Sequence, residues 1–350
     1  MSDPDLPRLL AVATAVPPYP LDQDDVVERV RRLFGGSVDL DLLLPVFTNT
    51  GIRTRYSCVP IDWYDRAHGW AERNRIYLAS ALDLIESATQ RVLDRAGLGK
   101  EAIDAIVTVS STGIATPSLD ALLIERMGLR ADLRRSPLFG LGCAGGAIGM
   151  ARAASEAAGH PGQTVLLLVV ELCALSFRRD DLSKSNIVAT ALFGDGAAAA
   201  LLTTAGAGPA IAASGEHTWP GTLEVMGWEI ADDGLSAVFS RDVPRLVATR
   251  LRGAAQGFLA RNGLGFGDID RYICHPGGAK VIAGLETAFG LPEGALAGAR
   301  AVLRDYGNMS AATVLFVLER ALAAATPWRR ALLSALGPGF TAGFLVLDNR

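Results

Sequence analysis

The sequence predicts an α/β fold whose sheets are covered by helices on both faces. Buried-strand runs alternate with helical patterns along all 350 residues, the order that layered sheets and helices require. The order of the first half recurs in the second, and no low-complexity segment parts them. Two halves, 1–205 and 206–350, are therefore expected within one compact body.

Leu9–Val16 reads as a strand, and Glu72–Ala96 as a long amphipathic helix ending at Gly97. Ala105–Ser110 is a buried strand running into a Thr-Gly turn. Ser118 stands where it caps a helix reaching Met127, with Gly128 to close it. The small residues after Cys143 suit a helix to about Ala158, and Thr164–Glu171 and Ala197–Thr203 read as further buried strands. In the second half Ile211–Glu216 and Arg271–Cys274 are strands, and Val243–Arg261 and Ala311–Ala324 are helices. Two strands, Ala331–Leu336 and Ala342–Leu347, close the chain around a Gly-Pro-Gly turn. ALFGDGAAAALLTT near residue 200 and SALGPGFTAGFLVLD at the end read alike, each as a strand, a glycine turn and a strand. That echo suggests a duplication whose halves meet near Ala205–Pro209.

Half of the residues are hydrophobic, 20% are charged and the net charge is −4. Such a composition suits a packed soluble enzyme and gives no basis for a nucleic-acid surface. The four cysteines, at 58, 143, 173 and 274, form no CxxC pair and no regular framework, so they read as reduced thiols rather than disulfides or zinc ligands. MSDPDLPRLLAVATAV carries acids and prolines where a secretion signal carries basic residues. The apolar run Val165–Val170 is too short for a bilayer. A cytoplasmic protein with no membrane span is expected. Neither GxSxG nor Walker A is present, and nothing in the pattern calls for a metal or a nicotinamide.

Three runs carry chemistry: GLGCAGGA around Cys143, ICHPGGAK around His275 and DYGNMSAA around Asn308. Cys143 opens a Gly/Ala-rich helical pattern, and a helix N-terminus favours the thiolate, the reactive form of the thiol. Gly145, Gly146 and Ala147 let a substrate or another backbone come close. The competing role is a buried packing cysteine. His275 ends a strand before a Pro-Gly-Gly turn. It suits a base for Cys143 and a donor to an oxyanion, or else a histidine satisfied at a strand end. Asn308 in its Tyr-Gly-Asn turn suits a second donor to that oxyanion, or a helix cap. Cys173 reads as packing, and Cys274 as pointing away from His275 across the strand. Gly194-Asp195-Gly196 and Gly337-Pro338-Gly339 read as tight turns, with shaping a cavity as their other role.

Together with STGIATPSLD (111–120), ELCALSFR (171–178), ALFGDGAAA (191–199), HPGG (275–278), YGNMSAA (306–312) and GPG (337–339), these runs resemble the type III polyketide synthases, the chalcone-synthase-like branch of the thiolase superfamily. The resemblance spans nearly the whole chain, with the motifs in family order. It implies a thiolase-like fold of duplicated α/β halves packed as αβαβα layers, an acyltransferase activity and a homodimer. It implies that Cys143 is the nucleophile loaded by a starter acyl-CoA. His275 and Asn308 would form the oxyanion site that decarboxylates malonyl-CoA, and Phe193 would be the gatekeeping aromatic. Acyl-CoA and malonyl-CoA are the substrates in that family, and no cofactor is implied. Thr112, Thr116, Cys173 and Ser176, with Gly337, Pro338 and Gly339, correspond to residues shaping the family's cavity, and Lys280 to a CoA contact.

Two departures from the family pattern stand out. Plant members carry basic residues for the CoA phosphates just upstream of an Arg-Tyr pair like Arg55-Tyr56; here Leu42, Pro45 and Asn49 stand there. Arg53, Arg55 and Lys280 are the expected substitutes, with solvated surface charge as their competing role. GPG follows Ala335-Leu336, without the Gly-Phe that opens the plant loop. In bacterial relatives a Thr–Cys pairing at the positions of Thr112 and Cys173 accompanies a tunnel for long acyl chains. The resemblance therefore implies a long-chain fatty acyl-CoA starter and an alkylresorcinol, alkylresorcylic acid or alkylpyrone product. The alternatives are a ketoacyl-ACP synthase III-like enzyme that condenses once, and a catalytically silent thiolase-fold binding protein.

Overall fold

The structure, a computed structural model, describes residues 6–35 and 44–349; Leu42 lies outside them. β1 (Arg8–Ala15), β2 (Tyr19–Asp22), α1 (Gln23–Phe34), α2 (Pro45–Asn49) and β3 (Thr54–Ser57) lead into the long helix α3 (Trp70–Ala96). α3 closes at Gly97, whose φ of +65° suits glycine. Next come β4 (Ile103–Val109), α4 (Leu119–Met127), β5 (Arg134–Leu138), α5 (Gly145–Gly159), β6 (Thr164–Leu172), α6 (Lys184–Leu192) and β7 (Asp195–Thr203). The second half runs through β8 (Ala210–Thr218), β9 (Met226–Ala231), β10 (Gly234–Phe239), α7 (Val243–Arg261) and β11 (Arg271–Cys274). It ends with α8 (Ala279–Phe289), α9 (Ala297–Tyr306), α10 (Thr313–Ala323), β12 (Arg330–Gly337) and β13 (Thr341–Asp348).

Among the described residues nine strands form one sheet, in the order β11-β12-β13-β8-β1-β7-β6-β4-β5. β1 and β8 meet through the antiparallel pair Arg8–Ala210, and strand directions repeat outward from that seam. β7 is antiparallel to β1, β6 antiparallel to β7, and β4 parallel to β6. On the other side β13 is antiparallel to β8, β12 antiparallel to β13, and β11 parallel to β12. The strand order and directions thus repeat on either side of the seam.

β6 and β7 are buried along their whole length, so their alternating side chains feed two cores. Leu166, Leu168, Ala197 and Ala199 join Ile85 and Val92 of α3. Leu167, Val169, Ala198 and Ala200 join Met150 of α5 and Phe316 of α10. α5 packs on β4 and β6 and also on β12 and β13, so the two halves of the sheet face each other across it. With α3 over one half and α7 and α8 over the other, the layers run αβαβα. Small residues permit this closeness. A Cβ on Gly149 would lie 2.6 Å from the Val109 side chain, and one on Gly146 would lie 2.3 Å from the Ala311 carbonyl oxygen.

Two expectations change. ALFGDG does not open a hairpin: Ser183 caps α6 by accepting from the Asn186 N–H, Ala191 and Leu192 end that helix, and the strand begins at Asp195. The helix expected from Ala311 starts at Thr313, after a 3-10 turn over Ser310–Ala312. No helix among the described residues is long and apolar enough to cross a membrane.

Candidate active site

Cys143 lies in a 3-10 turn, Gly142–Ala144, that leads into α5. The hairpin turn of β12 and β13 presses on it: a Cβ on Gly142 would lie 2.5 Å from Pro338 Cδ, and one on Gly337 2.4 Å from the Leu141 carbonyl oxygen. The GPG run therefore acts as a seat for the cysteine turn. Cys143 is half-buried. Burial pushes its thiol up to about 11, while hydrogen bonds from Ser310 and Asn308 pull the other way. Desolvation is the largest influence on the thiol and favours its neutral form, opposite to the shift expected from the sequence.

His275 follows β11, its N–H donating to the Ser334 carbonyl at 2.8 Å. The residue is 4% exposed, neither ring nitrogen meets a partner, and burial lowers its pKa to about 4. Cys274 points away, into the core beside Ser334 Oγ at 3.4 Å. Asn308 sits just past α9, after Gly307 at φ +70°. Its Oδ1 accepts from the Ser310 N–H (2.8 Å) and its Nδ2 donates to the Gly277 carbonyl (3.3 Å), which fixes the amide's orientation.

Cys143, His275 and Asn308 line one pocket of about 480 Å³, walled by apolar residues such as Leu192, Phe239 and Leu336. Lys280, expected from the sequence, lines it too, as do Lys184 and Arg241, which sequence reasoning missed. All three are exposed, and none has an ion-pair partner among the described residues. Each stands alone in sequence, so only the fold gathers them. Arg53 is exposed but does not line the pocket, and Asn49 does. Arg55 is no surface contact at all: it is 1% exposed, with burial lowering its pKa to about 10.

Phe193 is buried against Trp228 and Phe239, with ring centroids 5.9 and 5.5 Å away. Phe239 belongs to the large pocket, and Phe193 faces a second, smaller space of about 50 Å³ with Cys173 and Ser176. Thr112 lines a third space of about 20 Å³, shared with Ser176. Its Oγ1 donates to Glu171 Oε2 (2.9 Å) and accepts from the Leu172 N–H (2.9 Å). Spaces that size take one to a few waters, not a long alkyl chain. Thr116 is exposed and lines none of these spaces. Sequence reasoning also missed Glu171, buried beside Thr112 with its pKa pushed up to about 8, and Ser310, held at φ +46°.

Two family models match this chain end to end: chalcone and stilbene synthases, N-terminal domain, over residues 5–209, and their C-terminal domain over 210–349. The chain belongs to the chalcone and stilbene synthase family. It is 43% identical to a 1,3,6,8-tetrahydroxynaphthalene synthase of Streptomyces peucetius subsp. caesius, covering 96% of this chain and 92% of that protein. It is 38% identical to a putative chalcone synthase of Bacillus subtilis, covering 97% and 98%. Among solved structures it resembles the 1,3,6,8-tetrahydroxynaphthalene synthase of Streptomyces coelicolor A3(2), a bacterial type III polyketide synthase. There the TM-score is 0.93 and identity 31%, over 97% of this chain and 99% of that one. This family member is a type III polyketide synthase with the thiolase fold, an acyltransferase.

Proposed function

We propose that this synthase starts as well as extends its chain with malonyl-CoA and releases a fused-ring polyphenol of the tetrahydroxynaphthalene class. The carrying observation is the relative of that activity at 43% identity across nearly the full length. The long-chain fatty acyl-CoA starter is given up, because relatives at 43% and 32% identity across nearly the whole chain are 1,3,6,8-tetrahydroxynaphthalene synthases. Oxygens on alternate carbons of such a product are what repeated two-carbon extension leaves behind.

In this reading residues 1–205 supply Cys143, and residues 206–350 supply His275 and Asn308. The Cys143 proton passes to His275 as Sγ attacks the thioester carbonyl. This creates both charges together, so that each offsets the other's burial. CoA leaves with the proton from His275. Malonyl-CoA then loses CO2, and its enolate oxygen takes hydrogen bonds from His275 and from Asn308 Nδ2. The enolate carbon attacks the Cys143 thioester, a carbon–carbon bond forms, and Sγ departs to accept the lengthened chain in the next cycle. Electrons balance through CO2 loss, so the sequence of steps calls for no redox cofactor. Phe193 gates the space where the chain folds, the GPG turn holds the Cys143 turn, and Lys184, Arg241 and Lys280 receive the CoA phosphates.

The assembly in this reading is a homodimer. β5 is an edge strand, and Phe139 beside it is 60% exposed, with Ile114 at 49%, an apolar face that a second copy covers. Free thiols at Cys58, Cys143, Cys173 and Cys274 suit a reducing cytoplasm. The test is product mass from the protein given malonyl-CoA alone, beside acyl-CoA starters of graded length and a Cys143→Ala control. A polyphenol from malonyl-CoA alone, absent in the control, is expected. Turnover only with an added starter, or a product of one condensation, overturns the reading.

A further inference from the structure

We propose that Arg55 is a positioning residue for the condensation, its buried side chain clamping the Phe193 turn to the Asn308 turn so that gate and carboxamide keep one spacing. The inference rests on the roles just given to Phe193 and Asn308. The two turns are joined by their backbones. The Asn308 N–H donates to the Leu192 carbonyl at 2.8 Å, and the Gly194 N–H donates to the Asn308 carbonyl at 3.1 Å. The end of α6 and the end of α9 thereby form a short parallel bridge, Phe193 to Asn308.

Arg55 lies against that bridge. Its Nη1 donates to the Phe193 carbonyl at 3.4 Å. Its Cβ comes within 3.2 Å of where a Cβ would stand on either Gly194 or Gly307. Both turns lack a side chain at the point where the arginine stem passes between them. β3, which carries Arg55, is pinned on its flanks: the Tyr56 ring stacks on Tyr306 at 5.8 Å, and the Cys58 N–H donates to the Asp195 carboxylate at 2.8 Å. A guanidinium removed from water is unfavourable unless its surroundings offset the lost hydration. Here the Asp195 charge helps to offset it, and its hydrogen bond and the glycine approaches lead to these two turns. A second guanidinium nitrogen, Nη2, is buried without a partner, so the side chain is held there by the geometry of the clamp rather than by a full set of hydrogen bonds.

The experiment compares the full-length enzyme with Arg55→Met, which keeps most of the stem, and Arg55→Lys, which keeps stem and charge. Three quantities are read: acyl loading of Cys143 by intact-protein mass, steady-state condensation, and product chain length. Both variants are expected to load Cys143 as the parent does. Arg55→Met should lose about tenfold or more in kcat, as misplacement of a reacting group does, with KM for malonyl-CoA within about twofold. It should also release shortened products, and Arg55→Lys should recover part of both kcat and chain length. Parent-like kcat and product length in Arg55→Met overturn the proposal. Loading that falls in step with the folded fraction by circular dichroism also overturns it, as does failure of both variants to fold, since each makes Arg55 a stability residue only. If the parent builds nothing from malonyl-CoA alone, the starter assignment has failed, and the same comparison runs with the acyl-CoA that does prime it.

Discussion

At Glu171 the fold keeps a carboxyl group with only half of its hydrogen bonds. Oε2 accepts from the Ser111 N–H and Thr112 Oγ1, Oε1 has no partner, and burial pushes the group up to about 8. The folded value exceeds the ordinary 4.5, so the stability from the neutral carboxyl is full below that ordinary value and is lost as pH rises toward 8. Between pH 5 and 8 the parent should therefore lose stability relative to Glu171→Gln, by up to about 1.4 kcal/mol per pH unit. Urea denaturation of both proteins at the two pH values checks this, and a difference that stays flat counts against a neutral Glu171. The residue was not legible beforehand, because ELCALSFR reads as the end of an apolar strand and a sequence does not show which carboxylates are dry. Cys143, His275 and Asn308 were legible, since each is set among small residues in a distinctive run. Arg55 was misread for the opposite reason: an arginine beside other arginines looks like surface charge, and only the approach of Gly194 and Gly307 shows it to be interior.

At the scale of elements, α5 explains why its sequence is so poor in bulk. A Cβ on Gly146 would strike the Ala311 carbonyl, which is backbone and unable to swing aside, whereas one on Gly159 meets nothing within 4 Å. Gly146→Ala should destabilise the protein by about 1–3 kcal/mol and lower condensation as the Cys143 turn shifts. Gly159→Ala, at the exposed end of the same helix, should be neutral or stabilising by up to about 1 kcal/mol. Thermal unfolding and activity of the pair separate helix propensity from packing; equal effects at the two positions would refute the sandwich argument. The helix itself was readable from GCAGGA onward. The misassigned hairpin at ALFGDG shows the limit of such reading, for a short apolar run before glycine fits the end of a helix as well as a strand. The β9–β10 hairpin escaped notice because its strands are half-exposed and lack a clean alternation.

Across the whole molecule, charge is gathered by the fold rather than by composition. The chain carries a net −4, yet Lys184 on α6, Arg241 ahead of α7 and Lys280 on α8 converge on the pocket that holds Cys143. Replacing all three by alanine should raise KM for malonyl-CoA several-fold at about 0.1 M salt and much less at about 1 M, where screening already weakens exposed charges in the parent. Initial rates at both salt concentrations test this, and a salt-independent effect would point to packing instead. The alternation of elements was open to sequence reading because hydrophobic period carries it, whereas the repeat of strand directions was not, since period does not say which strands pair. The convergence of distant charges was not, since it depends on how the halves meet.

That meeting has a consequence for recombination. Pro338 rests on Gly142 and Ala311 on Gly146, so the turn and helix that present the thiol are shaped by contacts from the opposite half of the chain. The two repeated halves are interlocked at these positions rather than separable modules. A hybrid joining the front of this synthase to the back of a distant cousin would inherit every reactive group and still misalign them, unless those few interlocking positions travelled together.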